Sequence, residues 1–236
     1  MQVIYFDTET TGLDKNARIV QLAYKSSKTG ASVSQYFKPP VPISFGAMAV
    51  HHITEKMVED KPVFQGGVFH AELITLLADH IPVAHNASFD IQILKNEDVI
   101  INQHIDTLRL ARHLVESEQY NLQYLRYSLN LDAEGLPHDA HGDVMVLESL
   151  FKYLQSLTQE KFGLTNDDEV LGKMLELTQT PVLLKTFSFG KHINKTFEEV
   201  SRIDRSYLEW LHGSESKKDQ ADQNEDMIYT LKYYLK

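Results

Sequence analysis

The chain has 236 residues, 42% of them hydrophobic, with 33 acidic side chains against 23 basic ones and a formal net charge of −10. A chain of this size buries roughly 70 to 75% of its unfolded surface in one or two domains, which excludes disorder, and the acidic excess excludes loose capture of nucleic acid by an overall positive field. With no cysteine, disulfides, cysteine-ligated zinc, iron–sulfur clusters and a thiol nucleophile are excluded too.

Met1 leads directly into a strand carrying acids, and no run of about 18 apolar residues follows, so a soluble cytoplasmic protein without membrane association is expected. Residues 2–9 (QVIYFDTE) are apolar, β-branched and aromatic, which predicts a buried strand. Residues 18–26 and 32–38 predict two more strands, joined through Lys28, Thr29 and Gly30 into an antiparallel meander. After Pro39-Pro40-Val41-Pro42 a helical pattern covers 69–78, residues 81–85 return to a strand, and helices alternate with short extended pieces to about 157. The expected fold class is α/β, a mixed β-sheet flanked by helices over residues 1–157. Residues 158–180 turn polar and carry a helix over 170–177 behind Asn166 and Asp167, which reads as a linker. Residues 181–236, with Phe187, Phe189, Phe197, Tyr207 and Trp210, are expected to form a small α+β module.

Alternation along the first strand puts Val3, Tyr5, Asp7 and Glu9 on one face and Ile4, Phe6 and Thr8 on the other, with the α-carbons of Asp7 and Glu9 about 6.5 to 7 Å apart. Two carboxylates there are costly without a partner, although a strand emerging into solvent also fits. Asp90 follows a second apolar strand and shares helical spacings of three and four with Ile93 and Leu94, which places it on or beside a buried stripe. A first-turn aspartate favoured by the helix dipole accounts for it as well. Asp143 heads a third stripe, continued by Leu147, Leu150, Leu154 and Leu157 at steps of four, three, four and three. Three separate segments thus each deliver an acid to the inner side of an element. Two charges about 4 Å apart repel by roughly 4 kcal/mol at an effective dielectric near 20, so four converging carboxylates destabilise a domain unless cations sit among them. Oxygen-only ligands suit magnesium or manganese, and a pair of such ions about 3.5 to 4 Å apart is an arrangement that cleaves phosphodiesters.

Three segments, Phe6-Asp7-Thr8-Glu9-Thr10-Thr11-Gly12-Leu13, His85-Asn86-Ala87-Ser88-Phe89-Asp90 and His138-Asp139-Ala140-His141-Gly142-Asp143, resemble in this order the motifs of the DEDDh 3'-5' exonucleases. These belong to the ribonuclease-H-like superfamily, which includes proofreading subunits, ribonuclease T and exodeoxyribonuclease X. The resemblance covers most of residues 1–157 and implies a ribonuclease-H-like sheet. It implies two divalent metal ions, Mg2+ or Mn2+, held by Asp7, Glu9, Asp90 and Asp143, with His138 completing the catalytic set as general base. Histidine titrates near neutrality and can take a proton from the attacking water, so the expected product is a nucleoside 5'-monophosphate. His141 is the rival base, and only the five-residue separation from Asp143 favours His138. A zinc site on His138 and His141 lacks a further histidine spaced to complete it, and the remaining histidines, His51 and His52 included, read as surface or satisfied core residues. The same resemblance sets Thr10, Thr11 and Leu13 along the terminal nucleotide, with the leucine wedged against a base, and Asn86 and Phe89 at the border of the cleft. Leu13 is explained equally by a turn residue packing inward.

Residues 181–211 resemble the C-terminal module of some exodeoxyribonuclease X-like proteins through Phe189-Gly190-Lys191-His192 and Tyr207-Leu208-Glu209-Trp210-Leu211. Gly190-Lys191 is not a phosphate-binding P-loop, since the upstream glycine is absent and His192 stands where Ser or Thr is needed. Lys185, Lys191, His192 and Lys195 beside Phe187 and Phe189 have the composition of a strand-tracking nucleic-acid patch, or of a small aromatic core with a solvated basic turn. The expected function is a metal-dependent 3'-5' exodeoxyribonuclease acting on DNA 3' ends in repair or end-trimming. A ribonuclease T-like RNA 3' exonuclease is the nearest alternative, because only a 2'-hydroxyl separates the substrates. A polymerase proofreading subunit and a non-catalytic end-binding adaptor are the others, the adaptor being disfavoured by the complete set of acids and base.

Overall fold

The computed structural model describes residues 2–132, 137–219 and 223–236. Strands β1 (Val3–Thr10), β2 (Ile19–Ser26), β3 (Ser32–Tyr36), β4 (Ile81–Ala84) and β5 (Ile105–Asp106) form one sheet in the order β3-β2-β1-β4-β5. The meander β1-β2-β3 is antiparallel, whereas β4 pairs with both β1 and β5 in parallel, so the sheet is mixed. β1 lies in the middle, and its apolar start, Val3 to Phe6, is buried on both faces, as a central strand requires.

Alternation along β1 feeds two cores. Ile4 and Phe6, with Leu22 and Tyr24 of β2, pack against Phe69 and Leu73 of α3 (Val68–Asp79) and against Ile93 and Leu94 of α4 (Ala87–Asn96). Val3, Tyr5 and Ala23 form the opposite core with residues from four helices. These are α5 (Thr107–Leu114), α6 (Leu122–Ser128), α7 (Ala140–Phe162) and α8 (Asp167–Gln179). The Tyr5 ring meets Phe151 of α7 edge-on, with centroids 5.3 Å apart. Each fully buried side chain of this kind contributes about 1.5 to 3 kcal/mol. Two short helices, α1 (Phe45–His51) and α2 (Glu55–Val58), bridge β3 and α3 in the chain. Glu97, at the end of α4 and only 2% exposed, accepts from Arg18 Nε at 2.8 Å and from the Ile19 N–H at 3.2 Å, which ties the entry of β2 to α4.

α7 runs past the expected end near residue 157 to Phe162, where Gly163 at φ +63° closes it. The segment expected as a linker carries a helix that is part of this core. Val170, Leu171, Met174, Leu175 and Leu177 of α8 join it, and Thr178 Oγ1 accepts the Asp106 N–H at 3.1 Å. The acidic first turn of α8 makes the segment look polar, but the stripe behind it has to be buried. The chain accordingly divides into compact units Met1–Thr178 and Gln179–Lys236.

The second unit is built from α9 (Phe197–Ile203), α10 (Arg205–Ser216) and α11 (Glu225–Tyr234). Among its described residues the extended structure is a single antiparallel bridge, Thr186 to Thr196, so it is a helical module rather than a sheet-bearing one. Phe187 stacks on Phe197 at 3.9 Å, over Val200, Leu208, Leu211, Met227 and Leu231. Gly190 has φ +74°, and a Cβ there would stand 2.6 Å from the Tyr207 hydroxyl, so this turn admits only glycine. Among the described residues no helix is long and apolar enough to cross a membrane.

Candidate active site

Asp7 and Glu9 lie at the end of β1, where the strand pairing shifts between Glu9 and Thr10. Such an irregularity ends regular pairing and re-aims side chains. Both acids share the strand face of Val3 and Tyr5, which is the face that packs on α7. Asp143, in the first turn of α7 and 8% exposed, therefore comes to meet them. Asp7, Glu9 and Asp143 each offer a carboxylate oxygen within 4.8 Å of the other two. Asp90 arrives from α4 and is 4% exposed; its Oδ1 accepts from Thr8 Oγ1 at 2.6 Å. The structure thus gathers three of the four predicted acids into one cluster and sets the fourth beside Asp7, close enough to repel it.

The electrostatics record the cost. Burial, then the charges of Asp90, Asp143 and Glu9, push the Asp7 carboxyl well above its ordinary range. Glu9 is pushed up to about 8 by burial and then by Asp143, Asp90 and Asp139. Burial raises Asp90 to about 7 against the lowering effect of the Thr8 hydroxyl. Burial raises Asp143 as well, opposed by the side chain of Gln123 and the peptide N–H of His138. Among the described residues no lysine or arginine is among the main influences on these four acids, and the His138 side chain opposes the rise of Asp143 only as a minor one, so the packed acids are largely uncompensated. Their all-oxygen donor set suits a hard divalent cation, whose charge offsets the burial and the mutual repulsion that raise them.

The comparisons with known proteins agree with this chemistry. Residues 4–151 match the family described as Exonuclease, and residues 187–213 match the one described as Exodeoxyribonuclease X-like C-terminal. The chain belongs to the exonuclease family. It is 32% identical to Exodeoxyribonuclease 10 of Escherichia coli (strain K12) over 97% of this chain and 96% of that protein. It is 27% identical to the DNA polymerase III subunit epsilon of Rickettsia conorii over 86% of this chain and 96% of that one. Among solved structures it resembles Exonuclease X in complex with 5' overhanging duplex DNA, at 28% identity and a TM-score of 0.57, over 75% of this chain and 99% of that one.

In this exonuclease the acids are held by residues of the motifs together with Gln21 and Gln123, which the motifs do not include. The two oxygens of Asp143 accept from the Gln123 side-chain amide and from the His138 peptide N–H at 3.0 Å. Gln21, directly across from Glu9 in the sheet, donates to Asp139 Oδ1 at 2.8 Å, and Asp139 caps α7 through the Gly142 N–H. His51 is buried rather than exposed. Its Nδ1 accepts the Ile53 N–H at 2.9 Å, so its Nε2 carries the proton and donates to the Thr10 carbonyl at 3.1 Å. A glutamine inside the apolar run of β2 was the one local signal for the supports outside the motifs; His51 and Gln123 gave none.

His138 adopts the left-handed conformation at φ +58° and is exposed beside Asp143; His141, the second residue of α7, is exposed too. The bond from the His138 backbone to Asp143 joins His138, rather than His141, to the cluster. The predicted substrate contacts sort into two kinds. Thr10 and Thr11 are buried, and their hydroxyls serve the loop itself, Thr10 Oγ1 donating to the Gly12 carbonyl at 2.8 Å and Thr11 Oγ1 accepting the Arg18 N–H at 3.0 Å. Phe89 is half-buried against the core. Asn86 is exposed in the left-handed region at φ +66°, heading α4 without using its side chain as a cap, and Leu13 is 89% exposed.

In the second unit the basic stretch does not stand free as a patch. Lys191 Nζ and His192 Nε2 both bond Asp204 Oδ2, at 2.7 and 2.8 Å, and hold that carboxyl well below the usual range. His192 is buried against the edge of Tyr207 and Phe187 is core, whereas Lys185, Phe189, Lys191 and Lys195 are exposed.

Proposed function

We propose that this exonuclease is a metal-dependent 3'-5' exodeoxyribonuclease that releases nucleoside 5'-monophosphates from DNA 3' ends, in repair or end-trimming. The observation that carries this is the meeting of Asp7, Glu9 and Asp143 within 4.8 Å, with Asp90 alongside. These four residues would hold two Mg2+ or Mn2+ ions, which supply Lewis acidity to the attacking water and to the phosphate and offset its charge. His138, tied to Asp143 by its backbone and exposed to solvent, takes a proton from that water on an unprotonated ring nitrogen. The water oxygen forms a bond to phosphorus, the bond from phosphorus to the 3'-oxygen of the penultimate nucleotide breaks, and the leaving oxygen takes up a proton. Gln123 holds Asp143 and Thr8 holds Asp90, while Gln21 holds Asp139, the cap of the helix that carries Asp143.

The preference for DNA is supported by likeness to Exodeoxyribonuclease 10 along almost the whole chain and by the match of residues 187–213, which the polymerase-subunit reading does not explain. Lys185, Lys195 and Phe189 are the side chains of the second unit assigned to tracking the strand. A 5'-labelled oligodeoxynucleotide and its RNA counterpart, incubated with Mg2+, test the proposal. DNA should yield a ladder shortening from the 3' end with 5'-mononucleotides as product, and RNA should react at least about tenfold more slowly. Immediate loss of the 5' label, internal cuts or no hydrolysis would contradict it.

A further inference from the structure

Leu13 and Phe45, each 89% exposed, are the two most exposed large apolar side chains among the described residues. They come from different segments whose backbones touch. The Ser44 N–H donates to the Thr11 carbonyl at 2.9 Å, and Ser44 Oγ lies 3.5 Å from where a Cβ on Gly12 would sit. Leu13 follows Gly12, and Phe45 follows Ser44. The far end of α1 is fastened to the same stretch, since His51 donates to the Thr10 carbonyl at 3.1 Å. α1 is therefore anchored at both ends to Thr10 and Thr11, the two residues that directly follow Glu9.

Phe45 has no part in holding that helix. Ser44 caps α1 by accepting the Ala47 N–H at 3.1 Å, and the buried residue of α1 is His51. The fold thus mounts an aromatic ring in water on a rigid support, next to an exposed leucine and a few residues from the carboxylates. An exposed aromatic face is what base stacking requires, and stacking holds single strands with little regard to sequence. It also provides binding that does not depend on attracting phosphates to an acidic surface.

We propose that Phe45 is a specificity-determining residue that stacks on a nucleobase at the 3' end of the substrate, forming with Leu13 an apolar jaw beside the carboxylates. This inference rests on the exonuclease reading. It is tested by steady-state hydrolysis of two single-stranded oligodeoxynucleotides, one normal and one with both 3'-terminal nucleotides abasic, by wild type, Phe45→Ala and Phe45→Trp. On the normal strand Phe45→Ala should raise KM about tenfold with little change in kcat, and Phe45→Trp should restore it. On the abasic-ended strand Phe45→Ala should match wild type, because no base is present to stack. Equal losses on both strands, wild-type kinetics of Phe45→Ala on both, or a dimer that Phe45→Ala turns into a monomer would overturn the proposal. Wild type that hydrolyses neither strand would overturn the exonuclease reading itself, and the proposal with it.

Discussion

Asp7→Asn is expected to lower kcat by on the order of 10^3-fold or more, and at the same time to make the metal-free protein more stable. Asp7 stands at the centre of the site, where burial and the charges of Asp90, Asp143 and Glu9 all act on it. Asparagine keeps the shape of the side chain, removes one of the repelling charges and can donate to the remaining carboxylates. The fold therefore gains what the chemistry loses, as expected where strain is kept for function. Single-turnover hydrolysis of a 3' end measures the first effect, and thermal unfolding in chelator measures the second. A variant that degrades DNA like wild type, or that melts well below wild type in chelator, would contradict the role given to Asp7.

The second large effect is a dependence of stability on pH that cations should remove. In chelator, Tm is expected to fall by about 3 to 8 °C between pH 7 and 8.5, taking roughly 2 to 4 °C per kcal/mol for a chain of this length. Glu9 titrates near 8 in the fold against an ordinary 4.5, and Asp7 lies well above its ordinary 3.8. Below about pH 4 both states hold these protons, and the raised values cost nothing. Above that the unfolded chain ionises first, so the folded chain binds more protons and stability declines until Glu9 itself ionises near 8. The buried His51 and the half-buried His85 and His104 act in the opposite sense, because their lowered values make stability fall as pH drops through their unfolded range near 6.5. Above pH 7 that contribution is nearly complete, and the acids dominate the slope. Mg2+ or Mn2+ bound to the fold and not to the unfolded chain should flatten it. A Tm in chelator that is level or rises across this interval would contradict the electrostatic picture.

The parts of this site that sequence makes visible are those with a local pattern. Alternation alone puts Asp7 and Glu9 on the face of Val3 and Tyr5, and the leucine stripe below Asp143 aims it at the same core. The supporting contacts have no such pattern, since Thr8 reaches Asp90 across 82 residues and Gln21 reaches Asp139 across 118. The parallel pairing of β4 with β1 depends on how α3 crosses the sheet, which the local text of either strand does not encode. The helix of α8 was legible but its place in the core was not, because its three leading acids make the segment read as polar, and the pairing of Lys191 and His192 was not legible because Asp204 lies twelve residues beyond His192. Leu13 was open between a packed turn residue and a wedge, and its exposure fits the wedge.

Whether side chains from β1, α4 and α7 together form a cation site is tested most directly by titrating Mn2+ into the metal-free protein at pH 7 by calorimetry, in two buffers of different ionisation enthalpy. The account predicts saturable binding of two ions per chain with net release of at least one proton, since Glu9 titrates near 8 before the ions arrive, and marked weakening of both in Asp7→Asn. Absence of saturable binding, or binding that releases no proton and is unchanged in Asp7→Asn, would contradict it.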